Sequence, residues 1–149
     1  MISSPYFIID ETLKRALVTK AKSGIKIKLL LPGIPDKKGV YYVSRENYRD
    51  LLRAGAEIYE FTPGFNHAKN LIVDGKYAYI GTSNFDYRSL YLHFECGALI
   101  ALDPEIQKMV VSFDEAVALS HKVEYETWKK RPFYQRLIAH SLNLFSPLF

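Results

Sequence analysis

Along this chain the spacing of apolar positions switches repeatedly between a helical and a strand period, and the switches mark out its elements. Leu13, Ala16, Leu17 and Ala21 recur at helical spacing, with Asp10 placed to cap the helix and Gly24 to close it. Residues 25–31 (IKIKLLL) begin by alternating and end fully apolar, the pattern of a strand entering a core. Pro32-Gly33 breaks that strand, and the following GIPDKKGVYY, rich in Gly, Pro and charge, predicts a loop. Ser44 is placed to cap a short helix carrying Tyr48, Leu51 and Leu52, which Gly55 stops. Residues 56–61 predict a second strand, ended by Thr62-Pro63-Gly64, and residues 67–73 a third. Asp74-Gly75 signals a tight turn, so residues 77–80 form a fourth strand pairing back on the third. Residues 95–102 predict a fifth strand. Asp103-Pro104 then opens a helix in cap-then-first-turn order, with Ile106, Met109, Val110, Phe113 and Val117 as its buried stripe. The expected fold class is α/β: a layered, mixed β-sheet flanked by helices, in a single domain.

Composition adds little to this picture, but charge adds a location. A chain of 149 residues that is 48% hydrophobic and 24% charged is long enough to bury a core and too apolar for disorder. No stretch approaches the roughly 18 unbroken apolar residues of a membrane span, and no charged-then-apolar leader is present. Cys96 is the only cysteine, so no internal disulfide forms, which fits a reducing compartment. The net charge is +4, and residues 127–149 hold Lys129, Lys130, Arg131 and Arg136 with no Asp or Glu. Residues 1–126 are therefore balanced. A surplus confined to one terminus suggests an anionic surface, membrane or partner there, rather than a nucleic-acid groove across the domain; a solvated basic tail fits the charge equally. Residues 1–126 are accordingly taken as the domain, and 127–149 as a basic amphipathic C-terminal segment.

The chemistry concentrates in residues 67–84, HAKNLIVDGKYAYIGTSN. His67 and Lys69 are two apart on a predicted strand and so leave the same face. The hairpin folds back so that Thr82 and Asn84 can approach them. Those types suit a phosphodiester. An imidazole can attack phosphorus, while an ammonium and an amide N–H can neutralise and hydrogen-bond the phosphoryl oxygens. A carboxylate on the other ring nitrogen would fix the histidine tautomer. None of these steps needs a metal or cofactor.

The pattern H-x-K-x4-D-x6-G-[ST]-x-N resembles the signature motif of the phospholipase D superfamily. Thr82 stands where the family more often has Ser, and the hydroxyl is kept. SPYFIID, LLLPGIPDKKGVYYVSR, AGAEIYEFTPGFNHAK, GTSNFDYRSLYLHFE and WKKRPFYQRL extend the likeness over nearly the whole chain, to the C-terminal half of bacterial cardiolipin synthases. The resemblance implies transfer of a phosphatidyl group between two phosphatidylglycerols, giving cardiolipin and glycerol through a phosphohistidine. It implies two motifs facing each other, of which this chain has one. It makes His67 the nucleophile or general acid, Lys69, Thr82 and Asn84 the phosphate ligands, and Glu95 the residue orienting His67. Asp74 joins the site set as the motif's carboxylate, although its strand parity and its place in the Asp-Gly turn favour a structural role. The implied partners are phosphatidylglycerol, an N-terminal half of the same enzyme or a second copy of the chain, and the cytoplasmic face of an anionic membrane. Nucleic acid is not expected.

Two rivals stand beside this expectation: a single-motif phosphodiesterase or nuclease completed by homodimerisation, and a non-catalytic interaction domain. Gly81 suits a close approach of backbone to phosphate. Arg88 suits either a lipid phosphate or a pair with Asp86. His93, His121 and His140 lack metal-ligand spacing with one another or with Cys96 and fit surface or packing roles. Tyr41, Tyr42, Tyr77, Tyr79 and Tyr91 fit core or rim positions. A helix over residues 132–145 would put Gln135, Arg136, Ala139, His140 and Asn143 on one side and Phe133, Tyr134, Leu137, Ile138, Leu142, Leu144 and Phe145 on the other. That helix fits an interfacial membrane position or docking on the missing half.

Overall fold

In a computed structural model of the chain, residues 1–145 are described. The last four residues of the expected C-terminal segment, 146–149, lie outside them. The elements follow in the order β1 (Ile2–Ser3), β2 (Phe7–Ile8), α1 (Glu11–Lys22), β3 (Lys28–Pro32), α2 (Lys38–Glu46), α3 (Tyr48–Arg53), β4 (Glu57–Phe61), β5 (Asn70–Val73) and β6 (Tyr77–Gly81). They continue with β7 (Phe85–Asp86), a π-helical turn (Arg88–Leu92), β8 (Gly97–Ala101), α4 (Ile106–Ala118), β9 (Ser120–Lys122), α5 (Tyr125–Lys129) and α6 (Phe133–Asn143). Seven strands make one sheet in the order β8-β6-β5-β1-β3-β4-β9, and β2 pairs with β7 in a separate parallel ribbon. β1, β3 and β4 run parallel, and every other pair in the large sheet is antiparallel, so the sheet is mixed as expected.

Strand β3 shows why this sequence builds three layers. Its side chains alternate, and both faces are covered: Leu29 and Leu31 join one buried cluster, Leu30 the other. The first cluster includes Phe7, Tyr48, Leu51, Ile58 and Trp128, with Leu13, Leu17 and Ala21 of α1 packed against it. The second gathers Ile72, Ala78, Ile106 and Phe113, with Met109, Val110 and Val117 of α4 alongside. The stripe expected on α4 is thus its buried face.

Local signals held where a side chain alone sets the backbone. Asp10 accepts from the backbone N–H of Leu13 and Thr12 at the start of α1. Asp74 and Gly75 both have positive φ, 54° and 62°, as a type I′ turn requires, and Lys76 N–H closes the turn onto the Val73 carbonyl at 3.0 Å. Gly55 follows α3 with φ 91°.

Other expectations give way to tertiary contacts. Half of the supposed 33–42 loop is the first part of α2, and Ser44 lies buried inside that helix instead of capping the next. Its Oγ accepts from the Phe7 N–H at 3.2 Å, tying α2 to β2. The third strand is shorter than expected: His67 and Lys69 precede β5 on an extended segment. Glu95 likewise precedes β8. β1, β2, β7 and β9, too short to carry a periodic signal, are additions. The boundary at residue 126 falls inside α5, whose Trp128 is buried in the main core with Arg131 stacked on its ring, 3.9 Å from the centroid. α6 docks on α2 through Ala139, which is buried, and Leu142, which lies against Gly39. The docked side therefore combines Ala139 of the side expected to be polar with Leu142 of the apolar one, and Phe133, Tyr134, Leu137, Ile138, Leu144 and Phe145 are exposed.

Candidate active site

Two arms of chain carry the motif, and two buried serines at the end of β1 hold them. Asn66 donates to Ser3 Oγ at 2.9 Å and to the Leu30 carbonyl at 3.3 Å. Its own Oδ1 accepts from Ala68 N–H at 3.2 Å, an Asx turn that wraps the backbone around His67. Ser4 Oγ accepts from Phe85 N–H at 3.0 Å and donates to the Tyr6 carbonyl at 2.6 Å, which fixes the arm just beyond Asn84. Neither motif nor periodicity marked Asn66, Ser3 and Ser4. The Asn next to the histidine, with its Asx-turn potential, was the one signal that could have done so.

On the first arm, Lys69 Nζ lies 3.1 Å from His67 Nε2 and 3.0 Å from the His67 carbonyl. An ammonium can only donate, so at this contact Nε2 is the acceptor. His67 is exposed, with the Phe65 ring 5.7 Å away, centroid to centroid. Burial lowers the Lys69 pKa below the ordinary lysine value, against the opposing pull of Glu95 and Asp86.

On the second arm, Thr82 Oγ1 donates to Glu95 Oε2 and accepts from Cys96 N–H at 3.0 Å. Hydrogen bonds from Thr82, then Ser89, hold the Glu95 carboxyl below the usual range, with smaller contributions from His93 and Lys69. Among the described residues Glu95 makes no hydrogen bond to His67. It meets Thr82, faces Lys69 across the site, and has His93 Nδ1 3.9 Å from its Oε1. Asn84, Asp86, Arg88, His93 and Glu95 line one cleft of about 240 Å³. Asn84 Oδ1 is buried with no hydrogen-bond partner among the described residues.

Asp74 lies elsewhere. As the first residue of the β5–β6 turn, it is five residues beyond Lys69, about 16 Å along an extended chain, so it has no place around the His67 ring. Gly81 is also explained differently from the expectation. A Cβ there would lie 2.2 Å from the Tyr79 hydroxyl and 2.7 Å from the Cys96 carbonyl, and one on its pair partner Gly97 2.3 Å from the Tyr79 ring. The glycines form a floor for Tyr79. Among the described residues no group of His, Cys, Asp or Glu could hold a metal ion.

The first arm sets an imidazole beside an ammonium, and that ammonium feels the charge of Glu95 on the second arm, which suits attack on a charged phosphoryl centre. The unpartnered Asn84 atom is its amide oxygen, an acceptor, so only its side-chain N–H could meet a phosphoryl oxygen. The fold points the same way. The structure of phosphatidylserine synthase from Haemophilus influenzae superposes with a TM-score of 0.76 at 19% identity, covering 99% of this chain and 41% of that one. Nuc from Salmonella typhimurium, a phospholipase D family member, superposes with a TM-score of 0.71 at 16% identity, covering 83% of this chain and 80% of that one. The fold is therefore of the phospholipase D type.

A family model described as cardiolipin synthase, PLD-like domain, matches residues 1–117, and the chain belongs to that family. The cardiolipin synthases of Geobacillus kaustophilus and Geobacillus sp. (strain WCH70) are 44% and 43% identical to it over 147 residues. That is 99% of this chain and 29% of each relative, so the chain spans under a third of the relatives it matches.

Proposed function

We propose that this chain supplies one of the two half-sites of a phosphatidyltransferase that joins two phosphatidylglycerols into cardiolipin and glycerol. The incoming phosphate draws the Lys69 ammonium off His67 Nε2, and the freed Nε2 lone pair attacks the phosphorus of the first lipid. The bond from phosphorus to the glycerol oxygen breaks, and the departing oxygen takes a proton from the opposing half-site. The free hydroxyl of the second phosphatidylglycerol then loses its proton to that same group and attacks the phosphohistidine. The N–P bond breaks and His67 is restored. Lys69 and the Asn84 amide N–H hold the phosphoryl oxygens. Thr82 joins them by turning its one O–H from Glu95 to the bound phosphate, and Glu95 otherwise acts on the site through Thr82 and Lys69. The observation that carries this is the Lys69 ammonium set 3.1 Å from His67 Nε2, where it can neutralise the charge that develops beside the attacking nitrogen.

The test is to mix the chain with a complementary half containing the other motif and to quench during turnover of labelled phosphatidylglycerol. An acid-labile, base-stable adduct on His67, absent in H67A, is expected. Cardiolipin formation by the H67A mixture at the native rate would refute the assignment. Assay of the chain alone across dilution separates completion by a second copy from completion by a different half.

The same reading puts the domain on the cytoplasmic face of an anionic membrane. Its support is the outward apolar face of α6, with Lys129, Lys130 and Arg136 exposed around its start. Among the described residues no helix is long and apolar enough to cross a membrane.

A further inference from the structure

The reaction proposed above involves two phosphodiesters, and only one is attacked. The other, in the acceptor lipid, must be held nearby with its charge compensated. The cleft beside Asn84 has two cations unclaimed by any carboxylate. Arg88 lies two residues from Asp86, yet the two do not pair: Asp86 is buried and its Oδ1 accepts from Ser89 N–H at 2.8 Å. The Arg88 guanidinium instead places Nε 3.2 Å and Nη2 3.0 Å from a single acceptor, His93 Nε2. A guanidinium has five N–H donors, so most of the fork remains open.

Lys37, on the opposite lip, is equally uncommitted. Its neighbour Asp36 is occupied on Oδ2 by the Tyr6 hydroxyl at 2.5 Å and on Oδ1 by the Lys37 backbone N–H at 2.7 Å. Among the described residues the Lys37 ammonium meets only the Tyr6 ring, 6.0 Å from its centroid. The last carboxylate of the cleft, Glu95, is taken by Thr82. All three acids near the cleft are thus engaged by hydrogen-bond donors of their own, and both bases are left facing the space between them. Ordinary surface cations beside an available carboxylate would pair with it. Here, among the described residues, neither cation pairs with a carboxylate on either side of one cleft.

We propose that Arg88 and Lys37 form a second anion subsite, taking the non-reacting phosphodiester of the acceptor lipid while the first phosphoryl group sits at His67 and Lys69. Arg88 supplies the bidentate contact and Lys37 the point charge, and the His93 ring nitrogen holds the guanidinium in place. The ligand class is a phosphoryl anion, which a lipid headgroup or free phosphate could both provide. The assignment of donor and acceptor rests on the function proposed above; the subsite itself rests on the cleft.

The test is an NMR titration of the full 149-residue chain with glycerophosphoglycerol, the deacylated headgroup, and separately with inorganic phosphate. Glycerophosphoglycerol is expected to move the Arg88 Nε–H and His93 ring signals, and to go on moving them in K69A while the response at His67 is lost. Arg88→Gln should weaken binding at this subsite about tenfold or more. Lys37→Gln, on an exposed loop, should weaken it in the same direction and guards against a misfolded Arg88 variant. Shifts confined to His67, Lys69 and Asn84 would overturn the second subsite and leave the first intact. A response of Arg88 to inorganic phosphate but not to the phosphodiester would overturn the lipid assignment. Silence at both subsites would sink this proposal and the phosphodiester function together.

Discussion

Thr82 donates a hydrogen bond from its hydroxyl to the Glu95 carboxylate, and this contact joins the end of β6 to the residue that leads into β8. It is the largest influence keeping the Glu95 carboxyl below its ordinary value. A depressed carboxylate favours the folded state above the ordinary carboxylate range, and that benefit fades as pH falls through the folded-state value. Thr82→Ala should therefore move the Glu95 titration upward and Thr82→Ser should restore it, read from the carboxylate ¹³C shift. An unmoved titration in T82A would show that Thr82 does not set the charge on Glu95.

Asn66 holds the nucleophile's arm to the sheet. Asn66→Ala removes the hydrogen bonds to Ser3 and Leu30 and leaves the buried Ser3 hydroxyl without that donor, a cost of about 1–3 kcal/mol. A loss of adduct formation at His67 larger than the loss of stability predicts is expected, because the Asx turn that shapes the His67 backbone goes as well. Denaturant unfolding and the trapping assay on one preparation measure both.

Lys69 should control the alkaline limit of anion binding. Its pKa is lowered chiefly by burial, so its ammonium is lost at a pH where an ordinary lysine stays charged. Affinity for inorganic phosphate at the His67 pocket should fall with rising pH earlier than a normal lysine would allow. Lys69→Arg should extend the plateau upward. A curve identical for wild type and K69R would remove Lys69 from phosphate binding.

Tyr79 lies across Gly81 and Gly97, and any side chain at either glycine would overlap it. Gly97→Ala should destabilise the β6–β8 pair, by less than the roughly 1–3 kcal/mol of core overpacking because β8 is an exposed edge strand and Tyr79 is only half-buried. Tyr79→Phe should not relieve it, since the overlap includes ring carbons. Tyr79→Ala should. Thermal unfolding of the three double and single variants decides this.

The outward face of α6 predicts membrane binding that depends on both charge and apolar area. Exposed Phe133, Leu137, Ile138, Leu144 and Phe145 would each withdraw area worth about 25 cal/mol per Å², and each basic residue near an anionic leaflet about 1 kcal/mol. Paired Leu137→Ser and Ile138→Ser changes leave the docked Ala139 side untouched. They should reduce co-sedimentation with phosphatidylglycerol vesicles, and high salt should reduce it further. Equal binding by the variant would count against the helix as the contact.

Much of the fold follows from local chemistry. Asp10 fixes a helix start, Asp74-Gly75 fixes a turn, and the alternation in β3 places a strand covered on both sides. These signals act within a few residues of themselves. The features that escaped depend on partners distant in sequence. Ser44 has a cap residue's chemistry but spends its hydroxyl on Phe7, 37 residues away. β1 has two residues and stands mid-sheet because β3 and β5 flank it. The site obeyed the same rule: His67 and Lys69 were legible as a pair through spacing, whereas the engagement of Glu95 by Thr82 needed the β6–β8 pairing to exist first.

The π-helical turn after β7 carries a last consequence. It closes with the His93 N–H on the Arg88 carbonyl at 2.8 Å, a span of five residues where an α-turn would span four. That wider winding brings the Arg88 guanidinium onto the His93 ring nitrogen, and it sets the angle at which the chain leaves for Glu95. Residues 88–92 should therefore accept changes of side chain far more readily than changes of length. Shortening the segment by one would wind it back to an α-turn and rotate the downstream chain by about a quarter turn. Glu95 would then be carried off Thr82 with every contributing residue still in the sequence.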